Sequence, residues 1–113
     1  MAYRTERIGF RFLVLTDQAL VELRGFQEGV MSRPSRSAPG FVTGGFDLVE
    51  GRNYDWIGPF IAKHSLDASY YGLFVSLATD NDSDIMDVPH FALTLSRSVG
   101  GEISFSFTVL SED

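Results

Sequence analysis

Phe91-Ala-Leu-Thr-Leu-Ser-Arg-Ser-Val-Gly-Gly-Glu-Ile-Ser-Phe-Ser-Phe-Thr-Val-Leu110 is the stretch on which the fold reading turns. Large apolar residues fall at Phe91, Leu93 and Leu95, and again at Ile103, Phe105, Phe107 and Val109, with small residues between them. A period of two on both sides of a glycine pair predicts a β-hairpin with one heavily apolar face. Directly paired residues of an antiparallel ladder share a face, and here the apolar positions are odd-numbered on both arms. A two-residue Gly100-Gly101 turn would set Leu95 against Ser106. A three-residue loop, Val99 to Gly101, sets Leu95 against Phe105 and Leu93 against Phe107, with glycine in the left-handed position such a loop favours. The opposite face, from Ala92, Thr94 and Ser96 to Ser104, Ser106 and Thr108, is small and uncharged. Open sheet faces ordinarily carry charge, so this one is expected to be covered or to serve as a docking surface.

Upstream, Tyr70–Thr79 alternates strongly, with Tyr71, Leu73, Val75 and Leu77 on one face, so the second half reads as a three-stranded antiparallel meander. Ile8–Leu15 reads as the first strand, with Ile8, Phe10, Phe12 and Val14 on one face and Gly9, Arg11, Leu13 and Leu15 on the other. Thr16 or Asp17 then offers an N-cap oxygen. Ala19, Leu23, Phe26 and Val30, with Leu20 beside them, form a helical stripe from Asp17 to about Gly29. Ser32–Gly45 concentrates two prolines, several glycines and serines, and Arg33 and Arg36, and is expected to be a flexible loop. Phe46–Glu50 suits a short strand. Tyr54, Trp56, Ile57, Phe60 and Ile61 form an aromatic-rich corner, and Pro59 suits the first turn of a short helix to about Leu66.

The expected fold is therefore α+β: one domain over residues 1–113, a twisted antiparallel sheet of four to five strands with one main helix on a face, in the order β-α-β-(short α)-β-β-β. A chain of 113 residues can bury about two-thirds of its unfolded surface and needs no covalent staple. It has no cysteine, which excludes disulfides and thiolate metal sites. The longest uncharged run, 68–79, falls short of the ~18 apolar residues of a membrane span. With no signal-peptide pattern at the start, the expectation is a cytoplasmic protein that engages no membrane.

The net charge of −6 is unevenly placed. Residues 1–56 hold seven arginines and seven acids, while 57–113 hold Lys63 and Arg97 against eight acids. An acidic half opposes direct nucleic-acid binding and attracts basic surfaces. The densest acidic run is Asp80-Asn-Asp82-Ser-Asp84-Ile-Met-Asp87. Alternating oxygen ligands open calcium loops, but Ile85 stands where a glycine belongs and Phe91 where a glutamate belongs, so no metal is expected. His64 and His90 are the only histidines, and neither His64-Ser65 nor Asp87-Val-Pro-His90 belongs to a catalytic motif.

These features predict a binding protein, not an enzyme, with no cofactor. Asp80, Asp82, Asp84 and Asp87 would steer a basic protein surface, such as that of a nucleic-acid-processing protein. Tyr54, Trp56, Tyr70 and Tyr71 would anchor it, with Arg33 and Arg36 on the neighbouring loop. Small acidic proteins that occlude a partner, such as immunity proteins and phage-encoded inhibitors of defence systems, provide the class analogy. The alternatives are a small-ligand-binding or enzymatic α+β domain, with His64, His90 and Asp87 near a pocket, and a homo-oligomeric structural protein pairing through its sheet.

Overall fold

A computed structural model describes residues 4–80 and 85–110. In chain order it comprises β1 (Arg4–Leu15), α1 (Asp17–Phe26), β2 (Met31–Pro34), β3 (Val42–Asp47), α2 (Ile57–Lys63), a 3-10 turn (Ala68–Tyr70), β4 (Tyr71–Thr79), α3 (His90–Val99) and β5 (Glu102–Val109). The five strands form one sheet in the order β2-β3-β1-β4-β5. The architecture is mixed α+β, as the periodicities predict, but the described residues form three helices and one parallel strand pair.

β1, the longest strand at 12 residues, lies at the centre, with β3 and β4 paired on its two edges. Phe10 pairs with Phe46 of β3 on one side and with Leu73 of β4 on the other. These three side chains share a face and are buried with Phe12, Leu23, Ile57, Phe60 and Ala92 in one core. All three helices pack on that face, and among the described residues no helix covers the other. A bulge between Phe12 and Leu15 alters the expected alternation. Leu15, assigned by parity to the outer face, is buried in the core instead. The Leu13 carbonyl at the bulge accepts from the hydroxyls of Thr43 and Ser35, at 2.8 and 2.7 Å.

α1 starts where expected. The Thr16 hydroxyl accepts from the Ala19 N–H at 3.1 Å, and Ala19, Leu20 and Leu23 face the core. The helix stops at Phe26, short of Gly29, when Gln27 turns extended. Phe26 then lies half-exposed and stacks on Trp56, with centroids 5.3 Å apart and planes 3° from parallel. The aromatic corner at 54–61 is core packing, and its helix ends at Lys63.

The stretch 32–45 differs from its sequence reading. Met31–Pro34 is edge strand β2, and β3 begins at Val42, earlier than the strand expected at Phe46–Glu50. The Gly44-Gly45 pair masked β3, since glycine is weakly strand-forming. Gly44 sits beneath α1, where a Cβ would lie 3.1 Å from Leu23 Cδ2, so its missing side chain lets the helix approach the sheet. The Ser35 N–H donates to the Phe41 carbonyl at 2.9 Å and closes the connection.

The hairpin at 91–110 is the principal correction. His90–Val99 is helix α3, and β5 runs parallel to β4, with Val75 beside Phe105 and Leu77 beside Phe107. Phe91, Leu95 and Val99 recur at i, i+4 and i+8, and with Ala92 they make one helical stripe packed on the core. Phe91 and Leu95 therefore satisfy both periods, and only Leu93 favoured the strand. Gly100 ends α3 at φ 75°, its N–H donating to the Ser96 carbonyl at 2.9 Å. Gly101, at φ 88°, passes so close to β4 that a Cβ would lie 2.5 Å from the Tyr71 carbonyl oxygen. The glycine pair thus turns a helix into a parallel strand, a connection that requires a crossover element.

Candidate functional site

Two surfaces of the sheet carry chemistry that the core does not explain. The first lies on the uncovered face. Arg11 of β1 stands in register with Gly45 of β3, and Gly45 with Met31 of β2. The missing side chain at Gly45 leaves a groove of about 300 Å³ whose walls include Arg7, Arg11, Met31, Arg33 and Phe74. The Phe74 ring packs over Gly9, where a Cβ would stand 2.3 Å from ring atom Cε1. The guanidinium carbons of Arg7 and Arg11 sit 5.7 and 5.9 Å from the Phe74 centroid, within cation–π range. Arg7 pairs with Asp47 at 2.9 Å, whereas Arg11 donates to the neutral Ser104 hydroxyl at 2.8 Å. Arg11 and Arg33 form no ion pair among the described residues.

The second surface is β5, an edge strand of the sheet. Ile103, Phe105, Phe107 and Val109 continue the apolar face of β4, but α3 leaves them uncovered. Phe105 is 72% exposed and Phe107 50%. No charge lies between Ile103 and Leu110, and the strand has no proline to blunt its edge. The Leu110 N–H donates to the Thr79 carbonyl at 2.7 Å, which places the end of β5 beside exposed Asp80. Glu102 opens the strand at its other end.

The residues singled out in the sequence are dispersed. Tyr54 and Tyr71 are buried; the Tyr54 hydroxyl accepts from the Val49 N–H at 2.7 Å, and the Tyr71 hydroxyl donates to the Val99 carbonyl at 3.2 Å. Both are packing residues in this fold. Trp56 is half-buried against Phe26, Phe46 and Phe60. Tyr70 is exposed beside a second cavity of about 260 Å³ that also contacts Phe41 and His64. Asp80 and Asp87 are exposed, while Asp82 and Asp84 lie outside the described residues. Arg33 reaches the groove, and Arg36 is exposed on the β2–β3 connection. Sequence reasoning did not select Arg7, Arg11 or Phe74. Arg7 and Arg11 both stand on the odd-numbered side of β1, a signal visible in the alternation, but their place in one groove with Arg33 required the β2-β3-β1 order.

His64 does not pair with Ser65. Its Nε2 lies 2.7 Å from Glu22 Oε2, and the other Glu22 oxygen accepts from Lys63 Nζ at 2.7 Å. The Lys63 hydrogen bond, joined by that of His64, holds the Glu22 carboxyl below its ordinary value of 4.5 against the opposing effect of partial burial. A depressed carboxylate adds stability above the unfolded-state value and loses it as pH falls through the folded-state value. Glu22→Gln is therefore expected to flatten the acid limb of the stability profile below pH 4.5. Urea midpoints at pH 7 and pH 3 check this, and parallel wild-type and variant profiles would contradict it.

Among the described residues, no group of three or more His, Cys, Asp or Glu side chains is placed to hold a metal ion. No helix among them is long and apolar enough to cross a membrane. Comparison with protein-family models, with curated proteins and with solved structures finds no match to this chain.

Proposed function

We propose that this protein is a binding module that occludes a basic partner protein, in the manner of immunity proteins and of phage-encoded inhibitors of defence systems. The observation that carries this reading is β5: the edge strand of the sheet among the described residues, with its most exposed aromatic, Phe105, 72% exposed. An edge strand offers main-chain hydrogen bonds to an added strand, and alternate side chains supply specificity. Exposed aromatic residues at such a position act as anchors. Asp80 and Glu102 bracket the apolar row with negative charge, and Asp87 adds to the field on the same half of the chain. Charge at the rim raises association rate and selects basic partners, while the apolar row sets the dissociation rate.

The test starts from co-purification with a tagged chain, with identification of the bound protein and measurement of binding kinetics. Phe105→Lys with Phe107→Lys is expected to weaken a basic partner by about 30-fold or more. Asparagine at Asp80, Asp82, Asp84 and Asp87 together is expected to slow association at low salt and reduce its salt dependence. A folded lysine variant that retains full affinity would sink the proposal.

A second reading draws on the same strand. Pairing β5 with its own copy, antiparallel, with Ser106 opposite Ser106, sets Phe105 against Phe107 and Ile103 against Val109 with no charge conflict. Light-scattering mass across concentration separates the two readings. A dimer that the lysine variant converts to monomer favours self-assembly.

A further inference from the structure

We infer that the groove on the uncovered face of the sheet is a binding site for a phosphate monoester, separate from the β5 surface. It is locally cationic on a chain whose net charge is −6: Arg7, Arg11 and Arg33 face it, and Asp47, paired with Arg7, is the carboxylate that offsets them. Arg11 is half-buried between strands, and its side-chain hydrogen bond goes to the neutral Ser104 hydroxyl. A guanidinium carries five N–H donors in a fixed fork, so most of Arg11's donor capacity remains for a ligand. Arg33 stands on β2, in register with Thr43, on the same side of the sheet as Met31.

The groove is also preorganised. Phe74 lies on the Gly9 backbone and carries the Arg7 and Arg11 guanidiniums against its ring. Long side chains held in this way lose less conformational entropy on binding than free ones. Gly45 supplies the floor between Arg11 and Met31. The volume, about 300 Å³, is at the small end of ligand pockets, which suits a compact head group with a short apolar body. Neither Arg11 nor Arg33 has a carboxylate partner among the described residues, and the planar fork of a guanidinium binds phosphate oxygens in a bidentate manner. Met31 and the edge of Phe74 offer the apolar contact beside the head group.

The same phosphate chemistry reaches a protein from two sources, a free ester or a phosphorylated side chain. The experiment titrates the full chain at low salt with inorganic phosphate, phenyl phosphate, a short phosphoserine peptide and benzoate. Arginine side-chain and Phe74 ring resonances provide the readout. Saturable binding of the phosphate compounds is expected, with benzoate at least about tenfold weaker. Arg11→Gln and Arg33→Gln should each weaken binding by about tenfold or more, and added salt should weaken it further. Gly45→Val fills the floor, its Cβ standing at an ordinary contact distance of 3.4 Å from Arg11 Cβ, and should remove binding while the thermal midpoint holds. A tighter phenyl phosphate identifies a free ester and a tighter peptide a phosphorylated partner; both support the site. Benzoate binding as well as phenyl phosphate, no saturable shift with any phosphate compound, or full binding in Arg11→Gln would overturn it.

Discussion

Phe12→Ala is expected to lower the unfolding free energy by about 3–5 kcal/mol, the range for removing a fully buried phenylalanine. Phe12 is 0% exposed on the central strand. Its ring meets Phe10 edge-on at 5.2 Å and Phe60 of α2 at 5.0 Å, and its backbone pairs with Tyr71. Truncation opens a cavity where strand and helix meet, and neither neighbour can close it without leaving its own partners. Against a typical stability of about 5–15 kcal/mol, the loss removes a large share of the total. Phe105→Ala is the comparison, because the same deletion on the exposed β5 row should change the monomer by about 0.5 kcal/mol or less. Urea denaturation of both variants measures the contrast. Equal losses would mean that β5 is covered in solution, which is itself the outcome expected of a dimer.

Gly9→Ala is the second large effect, and it tests the architecture beneath the groove. A Cβ there would stand 2.3 and 2.5 Å from two atoms of the Phe74 ring and 2.6 Å from the Phe46 carbonyl oxygen. The ring can swing away, but the carbonyl belongs to the neighbouring strand and cannot move without the ladder. Overpacking of this kind costs about 1–3 kcal/mol. Denaturation of Gly9→Ala, Phe74→Ala and the double variant separates the two clashes, because residues in contact are not additive. The double variant should recover the part due to the ring and retain the part due to the carbonyl. Displacing Phe74 should also release the Arg7 and Arg11 guanidiniums and weaken phosphate-ester binding. A Gly9→Ala melt matching wild type would show that the ring does not rest on this glycine.

Legibility in the sequence followed how local each signal was. The alternation of Ile8, Phe10 and Phe12, that of Tyr71 through Leu77, and the Thr16 cap ahead of Ala19 and Leu23 were all readable, because each depends on residues within one element. β3 was read late because Gly44 and Gly45 look like a turn, and their role depends on what packs above and beside them. The burial of Tyr54 and Tyr71 was hidden for a related reason. Tyr54 and Tyr71 have the composition of hot spots, but amphipathic rings suit a core equally well when a hydrogen-bond partner waits inside.

The sequence by itself determined an α+β chain with a long apolar first strand, a capped helix after it, a strong strand at Tyr71–Thr79 and an acidic second half. Tertiary structure alone decided how 91–110 is used. Phe91 and Leu95 satisfy a period of two and a helical stripe alike, so local pattern could not choose between them. The choice lay with the core, which required a cover beside β4 that Phe91, Ala92, Leu95 and Val99 supply as a helix. Once α3 forms, the chain must return parallel to β4, and β5 becomes an edge strand whose aromatic residues face outward. The arginine groove has the same origin. Arg7, Arg11 and Arg33 are scattered along the chain and line one groove only because β2, β3 and β1 lie side by side, with Gly45 between Arg11 and Met31.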